Sequence, residues 1–148
     1  MATVELRFSA QPEHVRTARL VAAAVARRAG VDEAVLDEVR LAVGEACSRA
    51  VGLHRSHGIT EPVTVVLAEE EKTFSIEVID EVPSAGANGA HAVPGARGGS
   101  DEDADADGED EMGLAVISGL VDDVEVSSTD QGGVIRMSWP SAPVSVLP

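Results

Sequence analysis

The residues of this chain whose types and spacing could do chemistry lie mainly on one amphipathic segment, LDEVRLAVGEACSRAVGLH, residues 36–54. Glu45 and Arg49 are four residues apart on it, with the acid on the N-terminal side. In a helix this is the favourable orientation for an ion pair, which contributes about 0.2–0.5 kcal/mol when exposed. Arginine offers only hydrogen-bond donors, so Arg49 cannot ligate a metal ion. The spacing therefore predicts a Glu45–Arg49 ion pair.

Two histidines and a cysteine belong to the same segment or follow it closely. His54 and His57 are three residues apart at the predicted helix end, but no third ligand has a suitable spacing for a metal site. We expect both histidines to complement the negative terminus of the helix. Cys47 is the single cysteine, which excludes an intrachain disulfide. We interpret it as a small buried hydrophobic residue rather than a redox sensor.

Two more candidate positions lie at the ends of other predicted elements. The strand sequence SIEVI ends at Asp80, whose side chain can cap the loop that follows. Pro83 in that loop fixes its own φ and lacks a backbone donor, which disfavours a close backbone cradle for a ligand. Further along, Gly113 opens a short apolar segment that predicts a helix.

The segment LAVGEACSRAV resembles the corresponding helix of the RsbW-like anti-sigma-factor serine kinases, which belong to the GHKL (Bergerat fold) ATPase superfamily. In that family an acid is followed four residues later by an asparagine. The resemblance implies that Glu45 holds the general-base position and that Arg49 replaces the asparagine that orders magnesium. Asn88 is the only asparagine of the chain, so no shift of register restores the motif.

The other nucleotide-binding motifs of the family are altered as well. The resemblance places Asp80 at the aspartate of a D-x-G-x-G motif, which reads adenine in the family, but both glycines are missing here. The phosphate-binding G-x-G-L-x-L-I motif corresponds to residues 111–117, where Gly113 is kept and Glu111 replaces the first glycine. The closing strand GGVIRMSWP, residues 132–140, also resembles the end of the family pattern.

The resemblance extends from about residue 4 to residue 140 and implies a function. It implies an anti-sigma factor, a homodimer, that sequesters a sigma factor and is released by a STAS-domain anti-anti-sigma protein. In the family an arginine of the first helix contacts both partners, and the sequence TARLV places Arg19 there. The altered motifs predict a protein with no kinase activity and with neither ATP nor magnesium as a cofactor.

Two alternatives to this function stay open at the level of sequence. One is an active protein serine kinase that uses ATP and magnesium despite the altered motifs. The other is a sensor whose remodelled pocket binds a different small ligand, such as an anion held by Arg49. Arg49, Glu111 and the missing glycines argue against the first alternative but do not separate the sensor from a simple anti-sigma factor.

Composition and charge set limits on the domain organisation and on the partners. The chain has 148 residues, of which 44% are hydrophobic, so we expect one domain over residues 1–148 with a real core. Its net charge of −15 argues against direct nucleic-acid binding, which requires a basic surface. There is no long apolar run and no signal-like segment, so we expect a cytoplasmic protein without membrane contact.

Much of the negative charge lies in a low-complexity insert, residues 83–111. Its last part, DEDADADGEDE, has eight acids in eleven residues, and the Gly/Ala/Pro-rich part before it has one charged residue, Arg97. Such a segment has too little apolar surface to offset the entropy of ordering it. In the GHKL fold the insert falls at the position of the ATP lid. It is either a solvated loop or an acidic lid that occludes the pocket.

Hydrophobic periodicity predicts the order strand, helix, helix, strand, strand, insert, helix, strand, strand. Pro12 and Gly30 mark the ends of the first helix, and Asp32 is the predicted N-cap of the second. Two hairpins are predicted, over residues 63–79 and 124–139. Consecutive hairpins with helices grouped elsewhere predict an α+β two-layer sandwich, a mixed and mostly antiparallel sheet with helices on one face. The family resemblance implies the same fold.

Overall fold

The structure is a computed structural model that describes residues 3–83, 114–121 and 123–141. Its elements follow the predicted order: β1 (Thr3–Phe8), α1 (Glu13–Ala29), α2 (Leu36–Ser56), β2 (Val63–Glu70), β3 (Thr73–Asp80), α3 (residues 114–120), β4 (Asp123–Thr129) and β5 (Gly132–Pro140). A short 3-10 turn, Glu33–Val35, leads into α2. The insert predicted at residues 83–111 lies, apart from Pro83, outside the described residues, as do Glu111 and Gly113.

The five strands form one sheet with the order β1-β2-β3-β5-β4. Each neighbouring pair is antiparallel, so the predicted fold class is confirmed, and the part of the sheet that the structure describes contains no parallel pair. Two tight hairpins, β2–β3 and β4–β5, account for this pattern. The second hairpin joins the sheet through β5, which places the start of β5 beside the end of β3.

The core lies between one face of the sheet and the helices. The strand register aligns apolar side chains in a row across all five strands: Leu6, Val65, Val78, Ile135 and Val126. Alternate residues of each strand face the helices, as a period of two requires. Helix α2 packs on β3 and β2, and α1 packs on α2 and β2. None of the described helices is long and apolar enough to cross a membrane.

Small side chains allow α1 and α2 to approach closely. The buried face of α1 is mostly alanine, and that of α2 has alanine and glycine at four of its ten buried positions. Most of the largest core side chains come from the sheet and from α3, among them Phe74, Ile76, Met137 and Ile117, and α2 adds Leu36. The low aromatic content of the sequence is thus compatible with a dense core.

The ends of α1 and the start of α2 follow the sequence signals. Gly30 has a φ of 96°, and its N–H and that of Val31 donate to the carbonyls of Arg27 and Ala26. This is the left-handed helix end that glycine favours. Asp32 accepts a hydrogen bond from the N–H of Ala34 at 3.0 Å. It therefore caps the 3-10 turn that precedes α2 rather than α2 itself.

Replacing Gly30 with alanine is expected to lower the free energy of unfolding by about 1–2 kcal/mol, because an L side chain is strained in the left-handed region. Chemical denaturation measures the change. Gly119→Ala is the matched control, since this exposed glycine lies within α3 and an added Cβ meets nothing within 4 Å. Equal stability of the two variants would contradict the assignment of Gly30 as the helix end.

Candidate functional site

An ion pair between Arg49 on α2 and Asp80 at the end of β3 forms the centre of the site. Nη1 of Arg49 lies 3.9 Å from Oδ2 of Asp80, and the two side chains are 16% and 6% exposed. The predicted pairing of Arg49 with Glu45 is wrong, because among the described ion pairs Arg49 pairs with Asp80. A carboxylate in a buried position, where the effective dielectric constant is lower, attracts a cation more strongly than an exposed one does.

The carboxylate of Asp80 also accepts two backbone hydrogen bonds. Its Oδ1 accepts from the N–H of Val82 at 2.9 Å and from the N–H of Gly133 at 3.2 Å. The first bond caps the loop after β3, as the sequence suggested. The second crosses to β5. With Arg49 on its other oxygen, this carboxylate connects α2, β3 and β5.

The glycine pair at the start of β5 is a part of the site that sequence reasoning missed. A Cβ on Gly132 would lie 2.0 Å from the backbone oxygen of Asp80, and a Cβ on Gly133 would lie 2.8 Å from its Oδ2. In the sequence, both glycines stand out only as the start of the closing strand GGVIRMSWP. The backbone of β5 can pass against Asp80 only because both positions lack a side chain.

His54 is fully buried and forms a second connection beside Asp80. Its Nδ1 lies 3.0 Å from the carbonyl oxygen of Glu61, and its Nε2 accepts the N–H of Glu81 at 2.8 Å. Because Nε2 must be an acceptor and Nδ1 a donor, the ring is neutral. The prediction that His54 complements the helix terminus with a positive charge is therefore wrong. His57 does contact the helix end, with Nδ1 2.9 Å from the carbonyl oxygen of Leu53.

His54→Phe is expected to lower the free energy of unfolding by about 1–3 kcal/mol, since it removes the part-buried hydrogen bonds to the carbonyl of Glu61 and the N–H of Glu81. Urea denaturation at neutral pH measures the loss. His57→Phe is the control, because His57 is exposed and its loss should cost less than about 1 kcal/mol. Similar losses in both variants would show that His54 does not connect the two loops.

The other predicted site residues are distributed around this centre. Cys47 is completely buried, as expected, and burial raises the pKa of its thiol from 9.0 to about 12, so the reactive thiolate is disfavoured. Glu45 lines a groove between α1 and α2 and is not part of the Asp80 cluster. Arg19 is exposed on α1 and lines the same groove. The described residues contain no group of three His, Cys, Asp or Glu side chains that could hold a metal ion.

Comparison with known proteins identifies the family. Residues 8–139 match the family described as the histidine kinase-like ATPase domain. The chain belongs to this family. Over 146 residues it is 27% identical to the serine-protein kinase RsbW of Oceanobacillus iheyensis, and the match covers 91% of this chain and 84% of that protein. The RsbW-like GHKL resemblance predicted from the sequence is thereby confirmed.

A solved structure supports the fold. The crystal structure of the RsbU and RsbW domains of a Mycobacterium tuberculosis protein matches 98% of this histidine kinase-like ATPase domain with a TM-score of 0.62. The two sequences are 16% identical, and the chain spans 35% of the length of that structure. At this identity the similarity concerns the arrangement of helices and strands.

Proposed function

We propose that this protein is an anti-sigma factor that sequesters a sigma factor and is released by a STAS-domain anti-anti-sigma partner without phosphorylating it. It acts in the cytoplasm as a homodimer. The similarity to a serine-protein kinase RsbW over 91% of the chain supports the anti-sigma role. The Arg49–Asp80 ion pair carries the second half of the proposal, the absence of kinase activity.

The residues around Asp80 do not fit magnesium and ATP. Arg49 stands at the position where the family has its metal-ordering asparagine, and a guanidinium provides donors only. Asp80 stands at the adenine-reading position, but its carboxylate is 6% exposed and already has contacts with Arg49 and two backbone N–H groups. The oxygen left for an adenine amino group, Oδ2, faces the guanidinium of Arg49, which offers donors to it as well. This geometry supports a protein that has the fold of a kinase but does not bind Mg-ATP or transfer phosphate.

Calorimetric titration of the purified protein with Mg-ATP is expected to show no saturable heat at millimolar nucleotide. Arg49→Asn alone is expected to transfer no radiolabelled phosphate to a STAS-domain protein, because Glu111 and Pro83 still differ from the family motifs. Asp80→Asn serves as a control for any residual adenine binding. A micromolar dissociation constant that Asp80→Asn abolishes would refute the proposal and favour an active kinase.

Arg19 is the residue that we assign to partner binding. It is exposed on α1, and the family resemblance places a partner-contacting arginine at this position. Arginine is enriched in interface hot spots because its planar group pairs carboxylates in a bidentate manner. Among the described ion pairs, Arg19 has no carboxylate partner within the protein.

Arg19→Glu is expected to weaken sigma-factor binding by at least about a hundredfold, since like charges at an interface cost several kcal/mol. The free energy of unfolding should change by less than about 0.5 kcal/mol because the side chain is exposed. Each sigma factor and STAS-domain protein of the source organism is purified and titrated separately. Arg28→Glu, an exposed charge reversal on the same helix, is the matched control. Unchanged binding by Arg19→Glu would place the partner surface elsewhere.

A second candidate function, a sensor for a small anion, is favoured by one observation. Within the part of the chain that the structure describes, Nε of Arg49 is buried and has no hydrogen-bond partner. An oxyanion that reached Arg49 would supply an acceptor. Thermal denaturation in the presence of phosphate, AMP or citrate tests this candidate. Stabilisation that disappears in Arg49→Met would support it.

A further inference from the structure

The outer sides of α1 and α2 form a groove that is separate from the Asp80 cluster. Two adjoining cavities of about 410 and 290 Å³ share Arg16, Arg19 and Leu41 and together run along both helices. We call this the α1–α2 groove. Its further lining includes Leu20, Arg40 and Gly44.

The middle of the α1–α2 groove is apolar and exposed. Leu20 on α1 and Leu41 on α2 are 59% and 53% exposed, the highest values among the large hydrophobic side chains that the structure describes. Both leucines line the same cavity. Single exposed leucines are ordinary on a protein surface, but a pair facing one groove from two helices is typical of a binding surface.

The groove is lined by more arginines than carboxylates, which are Asp37 and Glu45, on a strongly acidic protein. Three of its residues, Arg16, Arg19 and Arg40, are arginines, although the chain has only 11 basic residues against 26 acidic ones. Of these three arginines, only Arg40 has a carboxylate partner among the described ion pairs, that of Asp37. An acidic partner would be repelled by most of the surface and attracted here, which orients its approach.

Gly44 determines where the Arg19 side chain lies. A Cβ on Gly44 would be 2.8 Å from Cδ, 3.4 Å from Cγ and 3.7 Å from Nε of Arg19. The stem of Arg19 therefore crosses α2 at a position that has no side chain. Since Arg19 is exposed and flexible, an alanine at residue 44 would displace this side chain more readily than the two helices.

We propose that the α1–α2 groove binds one amphipathic helix of the partner protein, with leucine-like residues along its centre and acidic residues along its edges. Gly44 is the positioning residue that keeps Arg19 across the groove for that helix. This inference rests on the proposed function, because the partner is the protein that the anti-sigma factor holds. A helix in an apolar groove is a common mode of peptide recognition, and its charged edges select the partner.

A designed peptide tests the chemistry of the groove without knowledge of the natural partner. The probe is a helical peptide with a leucine stripe and glutamates on both sides, and its matched control has lysines instead of the glutamates. The full chain is titrated with each peptide while methyl NMR signals of Leu20 and Leu41 are followed. We expect saturable shifts of both leucines with the acidic peptide, weakened by salt, and at least about tenfold weaker binding of the basic peptide. Equal binding of the two peptides, or no shift, would overturn the inference.

Two alanine variants of α2 test the role of Gly44. Gly44→Ala should displace Arg19 and weaken both the acidic peptide and the sigma factor at least about tenfold. Gly52→Ala is the matched control, because its Cβ would meet nothing within 4 Å on the same helix. Neither variant should lower the melting temperature, since alanine favours a helix more than glycine does. The NMR signal of the Arg19 Nε–H group should move in Gly44→Ala and not in Gly52→Ala.

The outcomes separate this inference from the proposed function. Loss of sigma-factor binding in Arg19→Glu, together with full binding in Gly44→Ala, would refute the role of Gly44 and leave the anti-sigma function intact. An acidic peptide that occupies the groove while none of the purified sigma factors binds would refute the proposed function and support the groove. A fixed Arg19 Nε–H signal in Gly44→Ala would refute the positioning role directly.

Discussion

The buried carboxylate of Asp80 is the constraint on which the rest of the site depends. A charged oxygen pair at this depth is tolerated only if each oxygen has partners. One oxygen takes N–H groups from Val82 and Gly133, and the other faces the guanidinium of Arg49. These contacts hold α2 against β3 and β5. The neutral ring of His54 adds a second connection one residue further along, through the N–H of Glu81.

The same contacts explain how this histidine kinase-like ATPase domain keeps α2 in place on the sheet. The family fold requires α2 to lie on the sheet, which buries the end of β3 beneath it. Arg49 supplies a positive charge from α2, so Asp80 has an internal counter-ion. In the proposed function the buried contacts around Asp80 stabilise the fold, and the partner protein binds at the surface.

That surface is formed by the two helices on the side away from the sheet. Small residues let α1 and α2 pack closely. Because Gly44 has no side chain, the stem of Arg19 fits against α2 at that position. Exposed leucines and arginines then share one groove. Helix α2 therefore has two roles, with Arg49 facing the sheet and Gly44 facing α1. A substitution on the face that contacts α1 therefore does not directly contact the face that packs on the sheet.

The sequence by itself determined the element order, the fold class and the family, because these depend on local periodicity and on motif positions. It also indicated a buried Cys47. Only the tertiary structure decided the partners of the charged and polar groups. Local spacing favoured Glu45 for Arg49, but folding brings Asp80, 31 residues away, into a less polar environment where the attraction is stronger. His54 likewise looked like a helix-end charge until loops distant in sequence supplied one acceptor and one donor. Pairings of this kind depend on burial, which no local pattern specifies.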